Sequence, residues 1–174
     1  MTYRTRTYIA GDWTGDKDAI DQLYKWNDSK YWGLHFTDAH DLHQSNDGSK
    51  NCSIKKSLCL RMDASKTFVL VVGAKTKSLT AGSCQHCSSY SSYWGSCNAG
   101  NSISLKSYIE YECDKAVRDG LKIIVLYNST SVNRNLCPES VRWTGIHATM
   151  QKRENGTLYW DYKSVKDAFD KANQ

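Results

Sequence analysis

The segment 107–127 constrains the fold most strongly, because it reads as a complete helix followed by a buried strand. Ser107 precedes Glu110 by three residues, which is the spacing of a capping box at the start of a helix. Gly120 ends the helix, since glycine readily adopts the left-handed conformation found there. Residues 123–127 are apolar without interruption, which is typical of a strand covered on both faces. The segment therefore predicts an interior sheet with helices packed against it.

The same alternation of helix and strand extends along the chain. The predicted strands are residues 5–10, 32–36, 67–72, 123–127 and 146–150. The predicted helices are residues 16–26, 51–62, 107–119, 138–143 and 165–172, the last one capped by Ser164. Strands that alternate with helices predict a three-layer α/β sandwich of the flavodoxin-like kind, with a central parallel five-stranded sheet. Ligands of such sheets bind at the carboxyl ends of the strands.

Length and charge limit the classes of protein to consider. With 174 residues, of which 40% are hydrophobic, we expect a single domain over residues 1–174. The net charge of +5 comes from basic residues scattered along the chain, so no nucleic-acid partner is expected. The longest apolar run, residues 68–74, is too short to cross a membrane. The polar N-terminus carries no secretory leader, and we therefore expect a cytoplasmic protein without a membrane partner.

Residues 74–103 form an insertion that interrupts the alternation and is rich in Ser, Tyr and Cys. Cys84 and Cys87 have the Cys-x-x-Cys spacing of a metal-binding knuckle, and Cys97 follows in the same insertion. Cys113 supplies a fourth thiolate if the insertion folds over the start of its helix. Four thiolates in a tetrahedral array suit structural zinc. The alternatives are a disulfide or ordinary reduced cysteines.

Glu112 is the candidate for carboxylate chemistry. The capping box explains Glu110, whereas Glu112 has no capping role. The structural alternative is a solvent-facing glutamate that interacts favourably with the helix dipole. Four histidines are candidate general bases, and the alternative for each is a structural or exposed role: His35, His40, His43 and His147. The chain contains no Gly-x-Gly-x-x-Gly, Walker or Gly-x-Ser-x-Gly motif, which disfavours a classical dehydrogenase, a P-loop enzyme and a serine hydrolase.

Three segments resemble a known family in their order and spacing. They are residues 36–40 (Phe-Thr-Asp-Ala-His), 68–73 (Phe-Val-Leu-Val-Val-Gly) and 108–113 (Tyr-Ile-Glu-Tyr-Glu-Cys). The pattern resembles the TIR (Toll/interleukin-1 receptor) superfamily, in the bacterial branch that includes the TIR-like proteins of Thoeris anti-phage defence systems. The resemblance extends from about residue 7 to residue 127. It implies a flavodoxin-like fold and, as in catalytic members, cleavage of the nicotinamide–ribose bond of NAD.

The resemblance also implies roles for individual residues. The family's active helix typically reads Trp-Val-x-x-Glu-Ile, so that Glu112 takes the place of the catalytic glutamate. It would hold the nicotinamide ribose hydroxyls and stabilise the positive charge that develops on the ribose. The expected substrate-binding residues, most of them in strand-end loops, are Ala10, Gly11, Asp12, Asp38, His40 and Tyr108.

The implied product is an ADP-ribose-derived signal, cyclic in some bacterial members, that a downstream effector protein senses. TIR domains often work as assemblies, so a homo-oligomer is also implied. The chain departs from the family pattern at Tyr108, where the family has Trp, and in the cysteine-rich insertion. The alternative is a non-catalytic TIR-like scaffold or nucleotide-binding signalling module that acts through assembly.

Overall fold

The computed structural model describes residues 3–40 and 50–174, so the predicted candidate His43 lies outside the described residues. In chain order the elements are β1 (Arg6–Ala10), α1 (Lys17–Asp28), α2 (Asn51–Asp63), β2 (Ser65–Val72), β3 (Tyr90–Ser91), β4 (Ser96–Cys97), α3 (Tyr108–Arg118), β5 (Lys122–Tyr127), β6 (Ile146–Thr149), β7 (Gln151–Glu154), β8 (Thr157–Trp160) and α4 (Tyr162–Asn173). The central sheet has the order β1-β2-β5-β6, and its strands are all parallel. This parallel α/β architecture confirms the predicted fold class.

Helices cover both faces of the sheet because its central strands are apolar on both sides. Phe68 and Leu70 of β2 pack in one hydrophobic cluster with α2 and α3. Val69 and Val71 point the other way and pack in a second cluster with α1 and α4. Successive side chains of a strand alternate between faces, so an unbroken apolar run produces two cores. The result is the expected three-layer arrangement. No helix within the described residues is long and apolar enough to span a membrane.

The sheet has four strands instead of the predicted five, because residues 32–36 do not form a strand. Gly33 and His35 both have positive φ, at 35° and 58°, which is incompatible with an extended backbone. The side chain of Asn27 satisfies the backbone of Phe36, donating to its carbonyl at 3.0 Å and accepting from its N–H at 2.8 Å. The contact that remains at this edge is an isolated parallel bridge between Thr7 and Asp38.

The C-terminal region contains an antiparallel hairpin, β7–β8, that was not predicted from the sequence. Asn155 and Gly156 form its turn with φ of 49° and 81°. Positive φ at both central positions is the requirement of a type I′ turn, which Asn-Gly satisfies best. Helix α4 then begins two residues before Ser164. Its N-cap is Asp161, whose side chain accepts a hydrogen bond from the Ser164 N–H at 3.1 Å.

Helix α3 has the predicted termini. The Ser107 N–H donates to Glu110 Oε2 at 2.8 Å, and the Glu110 N–H donates to Ser107 Oγ at 3.2 Å, which completes the capping box. Gly120 follows the helix with φ of 67°. This capping fixes the helical register, and the register turns Glu112 inward, away from the solvent-facing side of the helix.

Candidate functional site

A cavity of about 300 Å³ lies where the carboxyl end of β1 meets α2 and the start of α3. Five of the residues predicted for the site line it: Gly11, Asp12, His40, Tyr108 and Glu112. The position agrees with the rule that open parallel sheets bind ligands at the carboxyl ends of their strands. Residues from five separate stretches of the chain therefore meet at one concave surface.

Glu112 is buried at the cavity, with 6% of its surface exposed. The Tyr8 hydroxyl donates a hydrogen bond of 2.5 Å to Glu112 Oε1. Burial raises the pKa of Glu112 to about 7, although the Tyr8 hydrogen bond and the charge of Arg61 both lower it. A solvent-facing glutamate is thus excluded. Near neutral pH this carboxyl group exists in both protonation states, which suits proton transfer or charge stabilisation.

Tyr8 is a site residue that the sequence analysis did not assign. It lies on β1, its ring stacks on Phe68 and on His40 at centroid distances of 6.0 and 5.0 Å, and it is fully buried. Burial, followed by the negative charge of Glu112, raises the pKa of its hydroxyl well above the ordinary value. Tyr8 therefore remains a hydrogen-bond donor to Glu112. Side chains two residues apart on a strand share a face, so the prediction of Ala10 as a site residue could have pointed to Tyr8 as well.

His40 lines the cavity and is oriented by Asp38. His40 Nδ1 lies 2.9 Å from Asp38 Oδ1, and the Tyr24 hydroxyl donates to Asp38 Oδ2 at 2.7 Å. Burial alone would raise the pKa of Asp38, but the hydrogen bonds from His40 and Tyr24 outweigh it and keep that pKa below its ordinary value. Trp13 packs its ring edge against His40 at 5.1 Å and also lines the cavity. Asp38 thus positions His40 and is not itself among the residues that line the cavity.

Of the remaining residues predicted to bind substrate, one lies in the hydrophobic core and the others line the cavity. Ala10 is 1% exposed and packs in the hydrophobic cluster under α2 and α3, so it is not among the lining residues. Asp12 accepts a hydrogen bond from the Thr14 N–H at 3.1 Å, which shapes the loop after β1. The Tyr108 hydroxyl donates to Asn51 Oδ1 at 3.0 Å, so Tyr108 links α3 to α2 at the cavity wall.

Arg61, in the last turn of α2, also lines the cavity and was not predicted. It is 8% exposed, and its Nε has no hydrogen-bond partner among residues 3–40 and 50–174. Its positive charge lowers the pKa of both Tyr8 and Glu112. Polar and apolar residues alternate irregularly along α2, so the sequence does not show that Arg61 is buried.

The structure does not assemble the predicted zinc site from Cys84, Cys87, Cys97 and Cys113. Within the described part of the chain, no three His, Cys, Asp or Glu side chains are grouped so that they could hold a metal ion. Cys113 is fully buried in the core, and burial, then the neighbouring Glu112 and Cys137, raises the pKa of its thiol. The helical register that places Glu112 at the cavity turns Cys113 into the core. All seven cysteines are free thiols, so the arrangement also contains no disulfide.

Comparison with protein families matches the N-terminal part of the chain. Residues 8–81 match the family described as Thoeris protein ThsB, TIR-like domain. The matched segment contains Tyr8, the loop after β1, His40 and Arg61, whereas Glu112 lies beyond it. No curated protein matches the chain. Together with the parallel α/β fold, the match over residues 8–81 confirms the predicted resemblance to a TIR-like protein of the Thoeris type.

Proposed function

We propose that this chain is an NAD-processing enzyme of anti-phage defence, which cleaves the nicotinamide–ribose bond and makes an ADP-ribose-derived signal. The observation that carries the proposal is the buried Glu112 carboxyl group, hydrogen-bonded to Tyr8 at the bottom of a cavity beside the strand ends. A carboxyl group with a pKa of about 7 is available as a carboxylate at physiological pH. Few structural roles require such a group in a cavity wall.

In this mechanism the ionised Glu112 accepts hydrogen bonds from the nicotinamide ribose hydroxyls. The bond between the ribose anomeric carbon and the nicotinamide nitrogen breaks, and its electron pair leaves with neutral nicotinamide. The carboxylate stabilises the positive charge that develops on the ribose, as in glycoside hydrolysis. Water then adds to the anomeric carbon and releases a proton to give ADP-ribose, or a nucleophilic nitrogen of the adenine base closes a cyclic product.

The aromatic walls of the cavity suit a ligand with planar rings. Trp13 and Tyr108 both line it, and each is held by a further contact, Trp13 with His40 and Tyr108 with Asn51. Aromatic side chains stack on nucleobase-type rings through their faces. The proposal retains the predicted single domain, the cytoplasmic location, the homo-oligomer and the downstream effector that senses the product.

The test compares Glu112→Gln with Glu110→Gln. The two glutamates are two residues apart on α3, and they lie on different faces of the helix. Gln at position 110 can still accept the capping-box hydrogen bond from the Ser107 N–H. Nicotinamide release from NAD is followed for wild type and both variants, with and without extract of phage-infected cells. We expect Glu110→Gln to retain release and Glu112→Gln to lose at least about 100-fold, the size of effect typical for a catalytic charge.

Release that persists in Glu112→Gln at the wild-type rate would contradict the catalytic role. If wild type releases no nicotinamide in either condition, even at concentrations that drive assembly, the non-catalytic signalling module is favoured. Product analysis of the wild-type reaction then separates linear from cyclic ADP-ribose.

A further inference from the structure

Arg61 is an unexplained buried charge. It is 8% exposed, its Nε has no hydrogen-bond partner within the described residues, and no described carboxylate forms an ion pair with it. A buried guanidinium N–H without a partner is unfavourable, because it has lost hydration and gained no hydrogen bond in exchange. A ligand that offers hydrogen-bond acceptors to a guanidinium in a cavity wall would offset this cost.

The guanidinium belongs to the cavity. Arg61 lines it together with Asp12 and Glu112, and among the described lining residues it is the one Lys or Arg. It acts electrostatically on Glu112 and Tyr8 but forms no ion pair with Glu112. A ligand with negative charge that enters the cavity therefore has one cationic partner among these lining residues, a short distance from the candidate catalytic carboxylate.

We propose that Arg61 binds a phosphate group of the ligand, and that this contact makes the cavity selective for phosphate-bearing nucleotides over nucleosides. This inference rests on the proposed function for the ligand's identity. The planar guanidinium presents paired N–H donors that match two phosphate oxygens, and such charge-assisted contacts are strong in a partly desolvated site. A phosphate would also supply acceptors to the guanidinium, whose Nε has no partner among the described residues.

The geometry also selects which phosphate is bound. Glu112 is assigned to the nicotinamide ribose, and Arg61 lines the same cavity of about 300 Å³. In a dinucleotide the phosphate nearest to a ribose is joined to it through its 5′-methylene group. Arg61 therefore binds the phosphate on the nicotinamide side, and positions the ribose over Glu112 through that short link.

The test measures binding without turnover. ADP-ribose and nicotinamide riboside are titrated against wild type, Arg61→Lys and Arg61→Met by calorimetry. The control is Arg142→Met, because Arg142 also has a buried Nε without a partner but does not line the cavity. Circular dichroism and Tm establish that each variant is folded, and Arg61→Lys keeps the charge if Arg61→Met fails to fold.

We expect Arg61→Met to weaken ADP-ribose binding about 10- to 100-fold, since a charge-assisted pair of hydrogen bonds is lost. Nicotinamide riboside binding should change less than about twofold, Arg61→Lys should be intermediate, and Arg142→Met should match wild type. In nicotinamide release, Arg61→Met should raise KM for NAD more than it lowers kcat.

Three results would overturn the inference: wild type that binds no ADP-ribose, unchanged ADP-ribose binding in Arg61→Met, or equal losses for ADP-ribose and nicotinamide riboside. The proposed enzymatic function fails separately. A wild type that binds ADP-ribose through Arg61 but releases no nicotinamide would contradict the enzyme and support the phosphate contact.

Discussion

Glu110 and Glu112 are separated by one residue on α3 and have opposite environments. Glu110 faces solvent and closes the capping box, whereas Glu112 is buried and hydrogen-bonded to Tyr8. Local sequence rules distinguish them, because the capping-box spacing accounts for only one of the two. The partners of Glu112 were beyond such rules, since Tyr8 is 104 residues away along the chain and Arg61 carries no motif. Which side chains meet a buried carboxylate is decided by packing.

Glu112→Gln should stabilise the protein at high pH. The pKa of Glu112 in the folded protein is about 7, above its ordinary value of 4.5, so the folded state binds the proton more tightly than the unfolded state. Stability from this group is therefore present at low pH and is lost as the pH rises from about 4.5 to 7, by about 3 kcal/mol in all. In urea unfolding, the free energy of unfolding of the variant relative to wild type should be higher at pH 8 than at pH 5.

The control for this comparison is Glu110→Gln. Its difference from wild type in the free energy of unfolding should not shift in favour of the variant between pH 5 and pH 8. A Glu112→Gln variant that loses as much stability at pH 8 as at pH 5 would show that the carboxyl group does not carry the burial penalty assigned to it.

The rate of nicotinamide release should depend on pH through the same group. If the ionised form of Glu112 stabilises the developing charge, kcat/KM rises with pH through about 7 and levels off above it, because kcat/KM reports the pKa of the free enzyme. Initial rates between about pH 5.5 and 8.5, at NAD concentrations well below KM, measure this rise. A rate that falls as pH rises through 7 would assign the active form to the protonated carboxyl group.

At the scale of elements, strands with unbroken apolar runs were predicted well, and irregular segments were not. β2 and β5 form as expected because burial on both faces requires an apolar residue at every position. Residues 32–36 have a similar composition but contain Gly33 and His35, whose positive φ bends the chain out of the sheet. No rule of composition identifies a histidine that adopts the left-handed conformation. The β7–β8 hairpin was predictable from Asn155-Gly156, a turn signal that was overlooked.

Gly82 controls how the segment after β2 meets α3. Its φ is 91°, and a Cβ added there would lie 2.4 Å from the Tyr108 ring. Gly82→Ala should therefore destabilise the protein by several kcal/mol, from backbone strain of about 1–2 kcal/mol plus the collision. It should also weaken ligand binding, because Tyr108 lines the cavity. Thermal unfolding and ADP-ribose titration measure the two effects.

Gly95→Ala provides the matched control, since Gly95 also has positive φ, at 56°, but an added Cβ meets nothing within 4 Å. It should show the backbone strain alone, about 1–2 kcal/mol, with unchanged ADP-ribose binding. Equal losses of stability in the two variants would exclude the contact between Gly82 and Tyr108 as a source of the effect.

For the whole molecule, the layered architecture followed from the alternation of elements, whereas the arrangement of cysteines did not. The Cys-x-x-Cys spacing is compatible with zinc, with a disulfide and with free thiols; the seven cysteines are free thiols, and no group of three metal-ligating side chains forms among residues 3–40 and 50–174. Cys113 illustrates why spacing was insufficient. Its distance from the insertion depends on the rotation of α3, which is set by the burial of Ile109, Cys113 and Ala116 against the sheet.

The seven thiols should differ widely in reactivity. Backbone hydrogen bonds from Asn101 and Ala99 lower the pKa of Cys97, whereas burial raises the pKa of Cys113. Since the thiolate is the nucleophile, Cys97 should be alkylated first by iodoacetamide at neutral pH, and Cys113 only after unfolding. Peptide mass spectrometry over time identifies the order. Cys97→Ser should remove the fast phase, and a chelator should leave the Tm unchanged. A fast phase that survives in Cys97→Ser would assign it to another thiol.

Among the described residues β1 is the marginal strand of the sheet; it pairs along its length with β2 and is bridged on its other side through Thr7 and Asp38. Marginal strands open locally more readily than interior ones, and Tyr8 is carried on this one. Each such opening removes the Tyr8 hydrogen bond from Glu112 and admits water to the carboxyl group, which relieves the burial that raises its pKa to about 7. Amide exchange along β1 should therefore report the fraction of molecules in which Glu112 has lost its buried environment.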